Sequence, residues 1–190
     1  MASDKIPQLT VEFYQQRIRE AQARGERDPV RAAGGYAAGE EERGREILAK
    51  HVRPGMRVLD IGCGCGVLRE LFPEKILYIG ADMVPEFIAE AKERYKSYPG
   101  TKFLVFDLTS LLLPNNCTVD PLTTFDVVVG REVLAPLAAL GQDKLTAIIS
   151  LLLSLGSKVI FFSRNHVAAD VWERGPGGKA VQTGWAKEME

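Results

Sequence analysis

The run Val58-Leu59-Asp60-Ile61-Gly62-Cys63-Gly64-Cys65-Gly66 constrains the fold more than any other part of the chain. Val58, Leu59 and Ile61 suit a strand buried on both faces, with Asp60 at its carboxyl end. Glycines at alternate positions then open a turn where the backbone must come very close to something else. In an open α/β sheet, the crevice beyond the strand ends is where ligands bind. A glycine turn followed by a helix start also offers unpaired backbone N–H groups. The segment predicts a strand, a tight turn and a cradle for a nucleotide-type cofactor.

Around this run the chain alternates strand and helix. Strands are expected over Arg57–Gly62, Leu77–Ala81, Lys102–Phe106, Phe125–Gly130 and Lys158–Ser163. Helices are expected over Pro85–Tyr95 and Asp143–Leu155, with a shorter one over Glu132–Leu140. Pro85 fits a first-turn position, where its missing N–H is harmless. Alternation of this kind implies a parallel sheet covered on both faces, with right-handed crossovers. Before the first strand, Thr10–Arg24 and Glu40–His51 read as helices joined by the Gly- and Ala-rich connector Gly25–Gly39. The loop from Leu108 to Thr124 is long and polar, a candidate binding rim.

At 190 residues, with 46% hydrophobic and 26% charged residues, the chain has the size and composition of one globular domain. A net charge of −1 gives no electrostatic footprint for nucleic acid or an anionic membrane. Met1–Gln8 is polar and carries no signal-type apolar region, and Leu145–Leu155 is too short for a membrane span. A cytoplasmic location is expected. Cys63, Cys65 and Cys117 make no disulfide framework, and the Cys63-x-Cys65 pair lacks nearby partners for a metal, so no metal site is expected.

Acidic residues gather at the strand ends. Asp82 closes the second strand; its two acceptor oxygens suit the two hydroxyls of a ribose, and equally a cap on the helix at Pro85. Asp107 closes the third. It suits an exocyclic amine, with the Leu108 N–H donating to a ring nitrogen, and equally a turn before Thr109 and Ser110. Met83, Leu108 and Phe106 would supply apolar contact to a base. Asp126 stands at the start of the fourth strand.

The dinucleotide fingerprint places its third glycine three positions after the second. Here that position is Val67, and Gly66 comes one residue early. Asp60-x-Gly62-x-Gly64-x-Gly66 instead resembles motif I of the class I S-adenosylmethionine-dependent methyltransferases. Phe125-Asp126-Val127-Val128-Val129-Gly130-Arg131-Glu132-Val133-Leu134 resembles the fourth-strand motif of the same family. The ordered set from Ile47 to Ser163 is similar throughout, and small-molecule enzymes of the family are the nearest in character.

The resemblance implies a Rossmann-like αβα sandwich with a mainly parallel sheet of order 3-2-1-4-5. The C-terminal strands are expected to be shortened or missing, since only Asn165–Glu190 follows the fifth strand; Val167–Glu173 and Lys179–Ala186 are a possible hairpin. Residues 1–50 would form a helical lid, 51–165 the cofactor-binding core and 166–190 a short terminal segment. The resemblance further implies S-adenosylmethionine as cofactor and S-adenosylhomocysteine as product. Asp60, Gly62, Cys63, Gly64, Asp82, Met83, Asp107, Leu108 and Arg131 would hold it, and Tyr36, beside Gly34-Gly35, would close over it. Glu132 and His166 are the candidate proton acceptors, because Ala135-Pro136-Leu137 stands where the family often has a histidine.

The expected reaction is methyl transfer to a small-molecule acceptor, at oxygen or carbon rather than nitrogen, because no Asn-Pro-Pro-Tyr-type signature follows the fourth strand. An inactive methyltransferase-like subunit completed by a partner is the alternative. A nicotinamide-dependent oxidoreductase is disfavoured by Val67 and Asp107. An uncovered sheet edge would favour a homo-oligomer or a partner that completes the sheet.

Overall fold

A computed structural model of the chain describes residues 10–34, 41–112, 124–162, 169–176 and 179–185. Seven strands form one sheet: β1 (Arg57–Ile61), β2 (Leu77–Asp82), β3 (Thr101–Val105), β4 (Phe125–Arg131), β5 (Gly156–Phe162), β6 (Ala169–Arg174) and β7 (Ala180–Trp185). Their spatial order is β3-β2-β1-β4-β5-β6-β7. The first five are parallel, and β6 and β7 are antiparallel to their neighbours. The order expected for the first five strands is the one observed.

The C-terminal strands, expected to be shortened or missing, are both present at 6 residues each. What is short is the connection from Phe162 to Ala169, too short for a crossover helix, so β6 must return antiparallel beside β5. A hairpin then brings β7 alongside β6. Its turn is closed by Gly175 N–H donating to the Lys179 carbonyl at 2.8 Å.

Helices cover both faces because the strands alternate apolar side chains to both. On one face Val58, Tyr78, Phe103, Val127 and Val129 pack against α3 (Glu41–His51) and α4 (Pro85–Arg94). On the other, Leu59, Ile61, Val128, Val159 and Phe161 pack against α5 (Leu134–Ala138) and α6 (Gln142–Leu155). Burying the five core residues of α6 alone (Leu145, Ile148, Ile149, Leu152, Leu153) is worth roughly 1.5–3 kcal/mol per side chain before entropy is counted.

Two local outcomes differ from the sequence reading. The segment after the glycine turn is a 3-10 turn over Val67–Leu71, not an α-helix. Pro73 accounts for this, because a residue preceding proline is driven from helical to extended backbone, and Phe72 sits at φ −87 and ψ 156. Conversely, the Gly25–Gly39 connector contains a helix, α2 (Pro29–Ala33). The Asp28 side chain accepts from Arg31 N–H at 3.1 Å, and Pro29 occupies the first turn.

Ahead of the sheet, α1 (Val11–Ala23) is capped by the Thr10 side chain and buries Ile18 and Ala21. It joins α2 and the start of α4 through a third apolar cluster that includes Val67, Val84 and Phe87. Polar ties reinforce the contact. Gln15 donates to Glu86 at 2.8 Å, and Arg94 binds Asp28 at 2.9 Å and Glu90 at 2.7 Å. Among the described residues, no helix is long and apolar enough to cross a membrane.

Candidate functional site

The carboxyl ends of β1, β2 and β4 open into a cleft of about 530 Å³, roofed by α1 and α2. That volume lies in the range of small-molecule sites. Its floor is the glycine turn. Gly62, Gly64 and Gly66 all take left-handed backbone, at φ 63, 54 and 76. A side chain at Gly66 would meet the Phe103 ring at 2.6 Å, so packing as well as backbone forbids one there. Gly64 differs: a Cβ there would have nothing within 4 Å and would project into open space. Packing leaves Gly64 free, and its backbone is bare toward the cleft.

Asp82, at the end of β2, is 8% exposed and lines the cleft. One carboxylate oxygen accepts from Gly64 N–H at 2.8 Å and the other from Val84 N–H at 2.9 Å. The carboxylate thus ties the glycine turn to the start of α4, whose N-cap is Val84. These bonds leave part of the carboxylate's acceptor capacity unused. Burial pushes its pKa up, and the Val84, Gly64 and Met83 backbone donors pull it back.

Asp107 and Leu108 also line the cleft. One oxygen of Asp107 accepts from both the N–H and the hydroxyl of Thr109, at 2.8 and 2.7 Å. The turn expected as one alternative is therefore built, and it uses one oxygen only. Met83 and Phe106 stand beside them, and Cys63 and Arg131 line the cleft as well.

Asp60 sits elsewhere. It is fully buried beneath the glycine turn and is not among the cleft-lining residues. Tyr78 donates its hydroxyl to one Asp60 oxygen at 2.5 Å, and the other oxygen has no partner among the described residues. Burial is the main cause of an Asp60 pKa pushed up to about 7, opposed by the Tyr78 hydrogen bond and the Arg131 charge. Asp60, expected among the residues that hold the cofactor, is thus set back from the cleft surface. Asp126 also lies away from the cleft: its carboxylate accepts from Arg57 N–H at 2.7 Å, at the amino-terminal end of β1.

Glu132 lines the cleft as the only described non-glycine residue with positive φ, at 59°. Left-handed backbone at a glutamate costs on the order of 1–2 kcal/mol, and such strain gathers at functional sites. Tyr36 and His166 lie outside the described residues. Gly34 lines the cleft, while Glu42 and Arg43 open α3 with side chains outside the described set.

The sequence reading expected a helical lid over residues 1–50 but singled out none of its cleft-lining residues on α1. Phe13, Tyr14 and Arg17 of α1 line the cleft. The Tyr14 ring meets Phe87 edge-on at 5.5 Å. Burial, and next the Asp82 carboxylate, raise its phenol pKa, so the hydroxyl stays protonated and can donate. One signal was available: two adjacent aromatic residues on a helix face different directions, so Phe13 and Tyr14 cannot both serve one core contact.

A family profile described as "Methyltransferase domain" matches residues 52–174, about two-thirds of the chain. The chain belongs to the S-adenosylmethionine-dependent methyltransferases of the class I fold. S-adenosylmethionine is the cofactor of this family. A highly reducing polyketide synthase of Penicillium soppii is 32% identical over 117 residues, which cover 56% of this methyltransferase chain and 4% of that protein. Protein-L-isoaspartate O-methyltransferase 1 of Arabidopsis thaliana is 35% identical over 63 residues, or 31% of this chain and 27% of its own. The chain therefore spans about a quarter or less of the length of these curated relatives. Among solved structures, magnesium protoporphyrin IX methyltransferase of Synechocystis with bound SAM is similar at a TM-score of 0.46. It is 23% identical, and the alignment covers 92% of this chain and 68% of that one.

Proposed function

We propose that this chain transfers the methyl group of S-adenosylmethionine to a small-molecule acceptor, at oxygen or carbon. The observation that carries the reading is the pairing of Asp82 with the glycine turn. A buried carboxylate with spare acceptor capacity stands beside a bare, left-handed Gly64 that opens into a cleft.

The residues fit the cofactor. The spare acceptor capacity of Asp82 suits ribose hydroxyls, and the backbone at Gly64 can lie against the methionine portion without a side chain intervening, with Gly62 and Cys63 beside it. The free oxygen of Asp107 suits an exocyclic amine, with Leu108 and Met83 providing apolar contact to the base. Asp60 acts from beneath: it accepts the Tyr78 hydroxyl and so fixes that side chain under the turn. When bound, the cofactor supplies an electrophilic methyl on a good leaving group, which leaves mainly positioning to the protein.

The chain's own residues do that positioning. The α1–α2 roof, fastened to α4 by Gln15–Glu86 and Arg94–Asp28, excludes water from above the cleft. Glu132, held in strained backbone at the mouth, is the described group placed to take a proton from an acceptor hydroxyl. Tyr36 as a closing residue and His166 as a second proton acceptor stay part of the proposal.

Incubating the chain with S-adenosylmethionine and separate sets of phenolic, enolic and amine acceptors, with S-adenosylhomocysteine release as readout, tests the reading. Turnover on oxygen or carbon acceptors is the expected result. Turnover on amines alone contradicts the acceptor class. Cofactor binding with no turnover on any set favours a subunit that needs a partner.

A further inference from the structure

The cleft lining mixes two kinds of chemistry. The carboxylates of Asp82 and Asp107 repel an anion and recruit hydroxyl and amine donors. The aromatic rings of Phe13 and Tyr14, the apolar Val133 and Pro136, and the guanidinium of Arg17 line the same cleft. Arg17 sits over the Phe13 ring at 5.8 Å. It is half-buried and forms no ion pair among the described residues. A guanidinium over an aromatic face, with no ion pair among the described residues, keeps donors that a planar anion can engage.

Phe13, Tyr14 and Arg17 are spaced i, i+1 and i+4 on α1, so Arg17 lies one turn from both rings. The Tyr14 ring meets Phe87 edge-on at 5.5 Å and packs against the cluster that includes Val84 and Phe87, beside the end of β2. A flat ring entering the cleft along α1 would meet the Phe13 and Tyr14 rings, with the Arg17 guanidinium one helical turn away.

We propose that the Phe13–Tyr14–Arg17 face of α1 is the acceptor subsite, and that it selects a small aromatic acceptor bearing a carboxylate, held by Arg17. The proposal rests on the methyltransferase reading above. Phe13 and Tyr14 contact the ring, the Arg17 fork binds the carboxylate, and the opposite end of the acceptor reaches toward Glu132.

The probes are 4-hydroxybenzoate and 4-hydroxybenzamide, which share shape and differ in charge. Each is titrated calorimetrically into the full chain saturated with S-adenosylhomocysteine, alongside Arg17→Gln and Arg17→Lys. The carboxylate should bind at least about tenfold more tightly than the amide, the scale of one charge-assisted contact. Arg17→Gln should erase that preference and Arg17→Lys should keep part of it, with S-adenosylhomocysteine affinity unchanged in both. Thermal melts of the variants show whether they remain folded.

Equal affinity for the two probes, binding of neither, or a preference that survives Arg17→Gln overturns the proposal. So does a loss of S-adenosylhomocysteine affinity in Arg17→Gln, which would assign Arg17 to the cofactor. Failure of the wild-type chain to bind S-adenosylhomocysteine is a different result, and it overturns the underlying methyltransferase reading instead.

Discussion

Asp60→Asn should stabilise the ligand-free chain at neutral and alkaline pH, and the gain should depend on pH. Asp60 is fully buried, and its pKa is raised from 3.8 to about 7. Such a carboxyl favours the folded state while protonated. Stability is therefore full below about pH 3.8, falls as pH rises between the two values, and levels off above about 7. At 1.36 kcal/mol per pKa unit, the ionised form costs the folded state about 4 kcal/mol at pH 8. Asparagine removes that charge and can still accept the Tyr78 hydroxyl, but it puts an amide N–H where the oxygen has no partner among the described residues. An unsatisfied buried donor costs about 1–3 kcal/mol. The net gain is about 1–3 kcal/mol at pH 8.5 and should vanish toward pH 4, where the neutral wild-type carboxyl carries an equally unpartnered donor. For a chain of this length each kcal/mol moves the melting midpoint by roughly 2–4 °C. Urea denaturation of both proteins at pH 4, 5.5, 7 and 8.5, at fixed ionic strength, measures the difference. A stability difference that stays flat across that range refutes the reasoning.

Three further outcomes follow from the same contacts. Gly64→Ala should cost only about 1–2 kcal/mol, from left-handed backbone, yet weaken cofactor binding markedly by calorimetry. Gly66→Ala adds a clash with Phe103, so its urea midpoint should fall further, by about 2–5 kcal/mol in stability. His51, near Lys158 at 3.3 Å, has its pKa lowered by burial and then by that lysine. The unfolded chain takes the proton more readily, so stability should fall as pH drops through about 6.5, and His51→Gln should flatten that limb in melts from pH 7.5 to 5. Arg94→Ala removes the tie between α2 and α4, so limited proteolysis should cut between residues 24 and 34 faster than in wild type, with little change in the global melting midpoint.

The parallel core was legible because doubly buried strands read as short apolar runs: Val127-Val128-Val129 and Val58-Leu59 need no partner to announce them. Pro85 marked the start of α4, and Asp82 could be placed at the cleft from its position at a strand end alone. What stayed illegible depends on distant contacts. Nothing in Asp60 itself says that Tyr78 takes one of its oxygens and that the glycine turn covers it. The 3-10 turn at Val67–Leu71 was readable from Phe72-Pro73, but motif expectation favoured a helix. The cleft-lining residues of the roof were hidden because Phe13, Tyr14 and Arg17 form no motif; only the packing of α1 on Phe87 and Val84 brings them over the strand ends. The antiparallel return of β6 followed from the length of its connection, which the sequence shows and the family pattern obscured.

The most direct test is calorimetric titration of the wild-type chain and Asp82→Ala with S-adenosylmethionine, S-adenosylhomocysteine and NADH. Micromolar binding of both adenosyl ligands to wild type, lost in Asp82→Ala, with no NADH binding to either, is the predicted result. Tight NADH binding, or adenosyl binding indifferent to Asp82, would contradict the account.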